Sequence, residues 1–389
     1  MEIERIYAVD LDLPHPEPET DPRREAWSEE ARVANPMTRY PRYTDVRASW
    51  TPDLGGLGCV VEASDGTKGF ATGSHGTPVA SLIDEYLGPR LEDEDPMAIE
   101  KIHDMATRMC APFGAAGLAS YAVSAIDLAL WDLKGKLLER PVYELLGGPA
   151  RDELTCYATG NDTDWYMELG FEATKLACPH GPADGREGLR KNVELVADRR
   201  ELVGEDVELM LDCWMAFDAE YTVRLAEELR PYDLKWIEEY LPPEDLDAHE
   251  RVRERLPWQT LATGEHWFTP KPFQYAASHG LVDILQPDVN WVGGLTALRK
   301  IVSIAASAGV DVIPHGGANT PYGQHACYAL PDIPWAEAFV ASPPGVPLEE
   351  TKRFPGLAVP EDGTVTPPDD PGFGAGVDPE ELSPYTYSS

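Results

Sequence analysis

Between Val207 and His315 the chain repeats one arrangement of apolar and polar positions. A short apolar run ends in a single ionisable residue, and a stretch of helical period follows. The runs VELMLD, LKWIE, TLATGE, DILQPD and VDVIPH end at Asp212, Glu238, Glu265, Asp288 and His315, at separations of 26, 27, 23 and 27 residues. That spacing is about the length of one strand–helix unit, ~30 residues with its strands. It predicts strands three to seven of a (β/α) barrel, each presenting its last residue on the C-terminal rim. ELTCYAT (153–159) and FEATKLA (171–177) supply strands one and two, and WAEAFV (335–340) the eighth. Helices fill the gaps at 187–202, 221–230 and 295–309.

The chain before the barrel reads differently. Residues 3–12 alternate apolar and charged positions as a strand, and 14–31 are rich in Pro and charge, which predicts a mobile loop. Residues 59–63 and 68–72 form a hairpin around Ser64-Asp65-Gly66. Helical patterns follow at 77–87, 96–109 and 120–138, the last closed by Pro141 and the Gly147-Gly148 pair. Strands followed by helices describe an α+β cap. The expected organisation is therefore a capping domain over 1–150, a barrel over 151–340, and a C-terminal segment over 341–389 running back over the cap. A chain of 389 residues suits two domains.

Charge changes the picture more than composition does. The formal net charge is −36, from 68 Asp and Glu against 32 Lys and Arg, with the acids spread along the whole chain. Nucleic acid and anionic membranes are excluded as partners. Such self-repulsion is well screened only where the Debye length is short, ~3 Å at 1 M salt, so a halophilic, salt-requiring protein is expected. The six cysteines form no C-x-x-C pair and are expected to be buried and reduced. With an acidic N-terminus and no run of ~20 apolar residues, a cytoplasmic protein is expected. Against this acidity, Arg32, Arg39, Arg42 and Arg47 stand close together. They either pair with neighbouring acids or clamp an anionic substrate, since guanidinium matches carboxylate geometry.

Adjacent barrel strands lie ~4.8 Å apart, so Asp212, Glu238 and Glu265 on strands three to five are expected to converge. Each alone would read as a helix cap. Three in register repel one another unless a cation lies between them, and an all-oxygen set suits Mg²⁺. Asp288 and His315, on strands six and seven, form a carboxylate–imidazole pair, which fixes the tautomer and makes His315 a competent general base.

These residues resemble the enolase superfamily, in its branch of acid-sugar dehydratases. ANPM-x-x-Y, VSAIDLALWDL, PVYELLGG, LMLDCWM, LKWIEEYLPP, GEHW, QPDVNWVGGLT and PHGG carry the likeness from residue 34 to about 340, and within the branch it runs toward the L-rhamnonate dehydratases. The resemblance implies an enolase-type modified (β/α) barrel with an N-terminal α+β cap, a Mg²⁺ cofactor, and a sugar-acid substrate; a homo-oligomer is also expected. A His or Lys base with Mg²⁺ stabilising an ene-diolate is a general property of this superfamily, not a deduction from this chain. It further implies that Glu337 faces the substrate, that Lys175 and Arg47 contact it, and, more weakly, that His266 does.

Two departures shape the reading. Many members carry Lys-x-Lys on strand two, with the second lysine a base on the opposite face; here the stretch is Lys175-Leu176-Ala177. A racemase needs two bases, so elimination is favoured. Where the rhamnonate-type pattern has histidine before A-x-PM, this chain has Arg32, which leaves another aldonate, such as L-mannonate or L-lyxonate, as an alternative. A non-catalytic sugar-acid-binding relative is the reading from another class, and the intact base argues against it.

Overall fold

The computed structural model describes residues 1–13, 16–43, 55–352 and 354–387. Eight parallel strands form one curled sheet, in the order β10-β9-β8-β7-β6-β5-β4-β11. They are β4 (Leu154–Thr159), β5 (Ala173–Ala177), β6 (Glu208–Asp212), β7 (Ile237–Glu238), β8 (Leu261–Thr263), β9 (Ile284–Leu285), β10 (Asp311–Val312) and β11 (Ala336–Phe339). All eight expected strands are present. The path starts at β10 and ends at β11, and beyond those two strands the Ala318 N–H donates to Glu337 O at 2.8 Å.

The barrel is filled rather than hollow. Tyr157, Ala173, Met210, Trp236, Ala262, Ile284 and Ile313 form a buried layer with Trp335 packed against it, one residue on or beside each strand. Bulky aromatics sit among small alanines, which lets one layer fill the interior. The functional rim thus rests on a dry floor.

In the N-terminal part, β1 (Ile3–Asp10), β2 (Leu57–Ala63) and β3 (Lys68–Gly73) make an antiparallel sheet in the order β1-β2-β3. The helix Leu118–Leu138, buried along most of its length, crosses it. Gly69 permits that crossing, because a Cβ there would lie 2.1 Å from Ala129 O.

Several expectations need correction. The helix expected over 77–87 is α-helical over Gly76–Ser81, winds as a π-helix over Leu82–Leu87, and ends as Gly88–Leu91. The segment expected as a mobile loop is tethered over its described part. Arg23 pairs with Glu168 at 2.8 Å, and Arg24 pairs with Asp162 and Asp164. The Trp27 N–H donates to Asp162 at 2.8 Å and opens a single helical turn, Trp27–Glu30. Composition alone missed it because its partners lie on the far barrel loop. The C-terminal segment contributes β12 (Thr364–Val365) antiparallel to β4, and it meets the N-terminal part where Tyr385 N–H donates to Ala8 O at 3.0 Å. All six cysteines are free and buried, and no helix among the described residues is long and apolar enough to cross a membrane.

His325 lies where the N-terminal part, a barrel helix and the C-terminal segment meet. Its ring packs 5.4 Å from those of Tyr143 and Phe373, and its Nδ1 accepts the Tyr143 N–H at 3.2 Å. Burial lowers its pKa to about 3, with Asp369 opposing weakly. The folded value is therefore below the unfolded one, ~6.5. The stability it contributes is complete above pH ~6.5 and is lost as pH falls toward 3, at about 1.4 kcal/mol per pH unit. We predict that His325→Gln, which keeps an acceptor for Tyr143, removes that slope. Urea unfolding of both proteins between pH 6.5 and 4 in molar salt checks it, and parallel curves would sink the prediction.

Candidate active site

The rim residues gather around a cleft of about 1180 Å³, lined by Asp212, Glu265, His315 and Glu337 from the barrel, and by residues 27–29, 55–57, 348, 351, 352, 354 and 357–360 from outside it. Asp212 ends β6 and lies in register with Glu238 at the end of β7. Glu265 follows β8 after Gly264, whose φ of +135° turns the chain there. Asp288 and His315 each stand three residues past their strands, β9 and β10, and Glu337 lies within β11.

His315 Nδ1 and Asp288 Oδ2 lie 2.7 Å apart, the expected pair, and His315 Nε2 is 3.3 Å from Glu265 Oε2. Burial alone would lower the His315 pKa. Glu265, the hydrogen bond to Asp288, and Glu337 outweigh it and raise it well above the usual value. The Trp291 ring packs 5.0 Å from the imidazole.

The three expected cation ligands do not meet at one point. Lys175, fully buried on β5, draws Glu238 to itself, lies 2.8 Å from Glu337 Oε1, and stands 3.8 Å from Asp212 Oδ2. The other oxygen of Glu238 accepts from Trp236 Nε1 at 2.9 Å and Gln286 Nε2 at 2.6 Å. Among the described residues, the metal-competent donors crowded within 4.8 Å of one another are Glu239, Glu265 and His266. The physical reason is the ammonium, which compensates Glu238 below the rim.

Donor chemistry nonetheless fits a hard cation. Burial first, then repulsion between carboxylates, pushes Asp212 up to about 6 and Glu238 and Glu265 up to about 7; Lys175 opposes this most at Asp212 and Glu238, and His315 most at Glu265. Carboxylates gathered this closely call for positive charge beyond that of Lys175, which a divalent ion with oxygen preference would supply.

The remaining predicted residues fall in different places. Burial would raise the Glu337 pKa, but Lys175 and His315 hold it well below the usual range. Its oxygens accept from Thr159 Oγ1 at 2.5 Å and from the Gly316 N–H at 2.9 Å. His266 Nδ1 lies 2.8 Å from Glu239 Oε2; burial lowers its pKa, yet Glu239 outweighs this and carries it to about 9. Arg32 is paired with Asp184 Oδ1 at 2.5 Å and is absent from the cleft lining, so the salt-bridge reading applies to it here. Arg47 lies outside the described residues.

Sequence reasoning missed Glu239, Gln286 and Trp291. The doublet in IEE carried a signal for Glu239, whose left-handed φ of +45° sits close to those of Trp214 (+40°) and Met215 (+60°). Met215 N–H donates to Glu239 O at 2.6 Å, so backbone strain is concentrated beside the acids.

Residues 162–382 match the family described as enolase C-terminal domain-like, and residues 58–147 match the mandelate racemase / muconate lactonizing enzyme N-terminal domain. The chain belongs to the enolase superfamily. Within the superfamily it is 42% identical over 375 residues to an L-rhamnonate dehydratase of Saccharopolyspora erythraea, covering 94% of this chain and 95% of that one. Its fold superposes on a rhamnonate dehydratase from Gibberella zeae complexed with Mg, with a TM-score of 0.90 at 34% identity, covering 99% of this chain and 96% of the other. A racemase from Streptomyces coelicolor A3(2) with bound magnesium is also similar, at TM-score 0.77 and 28% identity over 98% of both chains. The barrel and cap expected from sequence are the superfamily architecture.

Removing the Lys175 charge leaves Glu238 and Glu337 buried without their counter-ion. Breaking one partner from such a cluster costs about 3–5 kcal/mol. We predict that Lys175→Met lowers the unfolding free energy of chelator-treated protein by that order, measured by urea titration in molar salt. A change under about 1 kcal/mol would mean that the ammonium is not the compensating charge.

Proposed function

We propose that this chain is a Mg²⁺-dependent hydro-lyase converting L-rhamnonate to its 2-keto-3-deoxy acid. The observation that carries the choice of reaction is the one-sided base. His315 and Asp288 stand bonded on one side of the cleft, while the strand-two position that would hold a second base is Ala177, which lines the cleft with a methyl group. A site with one base can remove a proton and expel a group; it lacks the partner needed to return a proton from the opposite face. The relatives named as rhamnonate dehydratases support the substrate.

Asp212, Glu238 and Glu265 would hold the cation, flanked by Glu239 and His266. When bound, Mg²⁺ supplies Lewis-acid charge that makes the proton beside the substrate carboxylate more acidic. Asp288 holds the His315 tautomer with Nδ1–H donated to it, so Nε2 carries the lone pair. Glu265 is the strongest of the groups that raise the His315 pKa, and a cation held by Glu265 would weaken that pull and favour the neutral base. His315 Nε2 takes the C2 proton, and the electron pair of the C2–H bond spreads toward the carboxylate. The C3–O bond then breaks, the 3-hydroxyl leaves with the proton returned by His315 as water, and the enol tautomerises to the ketone. Glu337 stabilises imidazolium and Lys175 together, and Lys175, Arg47 and His266 are the proposed substrate contacts. Of these, Lys175 is engaged with acids in the present arrangement, and Arg32, paired with Asp184 and absent from the cleft lining, keeps its salt-bridge role. Residues 1–150 would cap the site, 151–340 carry the chemistry, and 341–389 bind back onto the cap. The acidic composition supports a salt requirement, and a cytoplasmic homo-oligomer completes the proposal.

Purified protein with Mg²⁺ and molar salt, offered a panel of aldonic acids, should release 2-keto-3-deoxy product from L-rhamnonate; no turnover of any member refutes the enzyme reading. Turnover of L-mannonate or L-lyxonate instead would move only the substrate. His315→Asn should lower kcat ~10³-fold or more while retaining Mg²⁺ binding, since a positioned base contributes 10²–10⁴. Asp212→Asn should raise the Mg²⁺ concentration for half-activity; an unchanged requirement counts against that ligand. Activity and stability should both decline in dilute buffer, and full retention there would end the halophilic reading.

A further inference from the structure

The loop that follows Asp288 is held from outside the barrel. Ser120, Ser124, Asp127 and Trp131 occupy successive turns of the helix Leu118–Leu138, at the spacing that brings side chains onto one face. Ser120 Oγ donates to Trp291 O at 2.6 Å, and Ser124 Oγ accepts the Gly293 N–H at 2.8 Å. Asp127 Oδ2 accepts the Thr296 N–H at 3.0 Å, and Trp131 Nε1 donates to Thr296 Oγ1 at 3.1 Å. His103, from the helix Ile99–Cys110, places Nε2 3.0 Å from Gly293 O. Gly294 has φ +79°, and a Cβ there would lie 2.4 Å from Asp127 Oδ2, so only glycine allows this approach.

At its other end the same loop fixes the base. Asp288 O accepts from the Trp291 and Val292 N–H groups at 3.0 and 2.9 Å. Asp288 Oδ1 accepts the Asn290 N–H at 2.7 Å, which leaves Oδ2 for His315 Nδ1. The Trp291 ring lies between the imidazole, at 5.0 Å, and Tyr121 of the same helix, at 5.9 Å. Every main-chain group from 291 to 296 that bonds a side chain of these two helices lies within eight residues of Asp288.

We propose that Ser120, Ser124 and Asp127 are positioning residues for the His315–Asp288 base, acting through residues 289–296, a loop that runs into the first turn of the helix Gly294–Ala308. The N-terminal helix thereby sets the orientation of the proton-abstracting imidazole as well as covering the barrel. This rests on His315 being the base, as proposed above. Burial raises the Asp127 carboxyl pKa, so Asn is a close replacement that retains the acceptor for Thr296.

The test uses the full-length, Mg²⁺-loaded protein in molar salt and compares wild type with S124A, D127A and D127N. S124A and D127A should lower kcat about tenfold while KM and the Mg²⁺ requirement stay within about twofold, because misplacement of a catalytic group acts on the chemical step. D127N should recover most of the loss. Amide hydrogen exchange over 289–296 should quicken about tenfold in S124A and D127A and remain unchanged in β8. Wild-type kcat in both S124A and D127A, equal effects of D127N and D127A, or unaltered exchange over 289–296 would overturn the proposal. Should D127A fail to fold, S124A carries both readouts. If wild type dehydrates no aldonic acid, the functional reading falls, and exchange over 289–296 still decides whether the helix holds the loop.

Discussion

A single buried ammonium governs the catalytic end of this barrel. Lys175 is fully buried, with Glu238, Glu337 and Asp212 as its acidic neighbours. Carboxylates on adjacent strands cannot all ionise in a dry interior without compensation, and removing a partner from such a cluster is far more costly than the net gain of forming it. Lys175 settles which acids ionise readily. Burial drives all of them upward, yet Glu337, with Lys175 and His315 beside it, stays ionised, while Asp212, Glu238 and Glu265 remain high. Asp212 and Glu238 lie in register on adjacent strands, and Glu265 follows the next strand after Gly264. Lys175 on strand two and the acids on strands three to five are parts of one electrostatic arrangement.

That arrangement depends on the aromatic floor beneath it. Tyr157, Trp236 and Trp335 close the barrel interior, and Trp236 also donates to Glu238. A solvated interior would screen the carboxylates and weaken both their mutual repulsion and their attraction for a cation. Packing and chemistry therefore share residues: the same indole fills the core and orients an acid.

The architecture was legible in sequence because its signals are local and repeated. Apolar runs at near-constant separation gave five of the strands, three further short apolar runs gave the others, and the residue type at the end of each of the five gave much of the site's composition, including the Asp288–His315 pair. What could not be read is set by contacts between distant segments. Nothing in VELMLD or LKWIE reveals that Lys175 pulls Glu238 below the rim. Nothing in the Pro-rich stretch around Arg23 and Arg24 reveals the acids at 162–168 that tether it. Glu239 escaped notice because its neighbour already satisfied the strand-end pattern, and only its left-handed backbone turns it toward His266. The VSAIDLALWDL stretch reads as an apolar helix. Its Ser124 and Asp127 gain meaning only once Gly293 and Thr296 are brought against them.

The charge on the whole molecule poses a problem that the site must solve locally. A chain of formal charge −36 repels an anionic substrate at long range, and the described rim adds to the difficulty: Asp212, Glu238, Glu239, Glu265, Asp288 and Glu337 outnumber Lys175, His266 and His315. With Lys175 already committed to acids, attraction for a carboxylate has to come from a bound divalent ion and from cations carried by the N-terminal part. Molar salt shortens the Debye length to ~3 Å, which removes the long-range repulsion and leaves contacts at hydrogen-bond distance largely intact. The screening proposed for so acidic a surface would thus also let an anion reach the cleft. Stability and substrate capture would then share one dependence on ionic strength, whereas the His315–Asp288 contact, at hydrogen-bond distance and packed against Trp291, would be little affected by it.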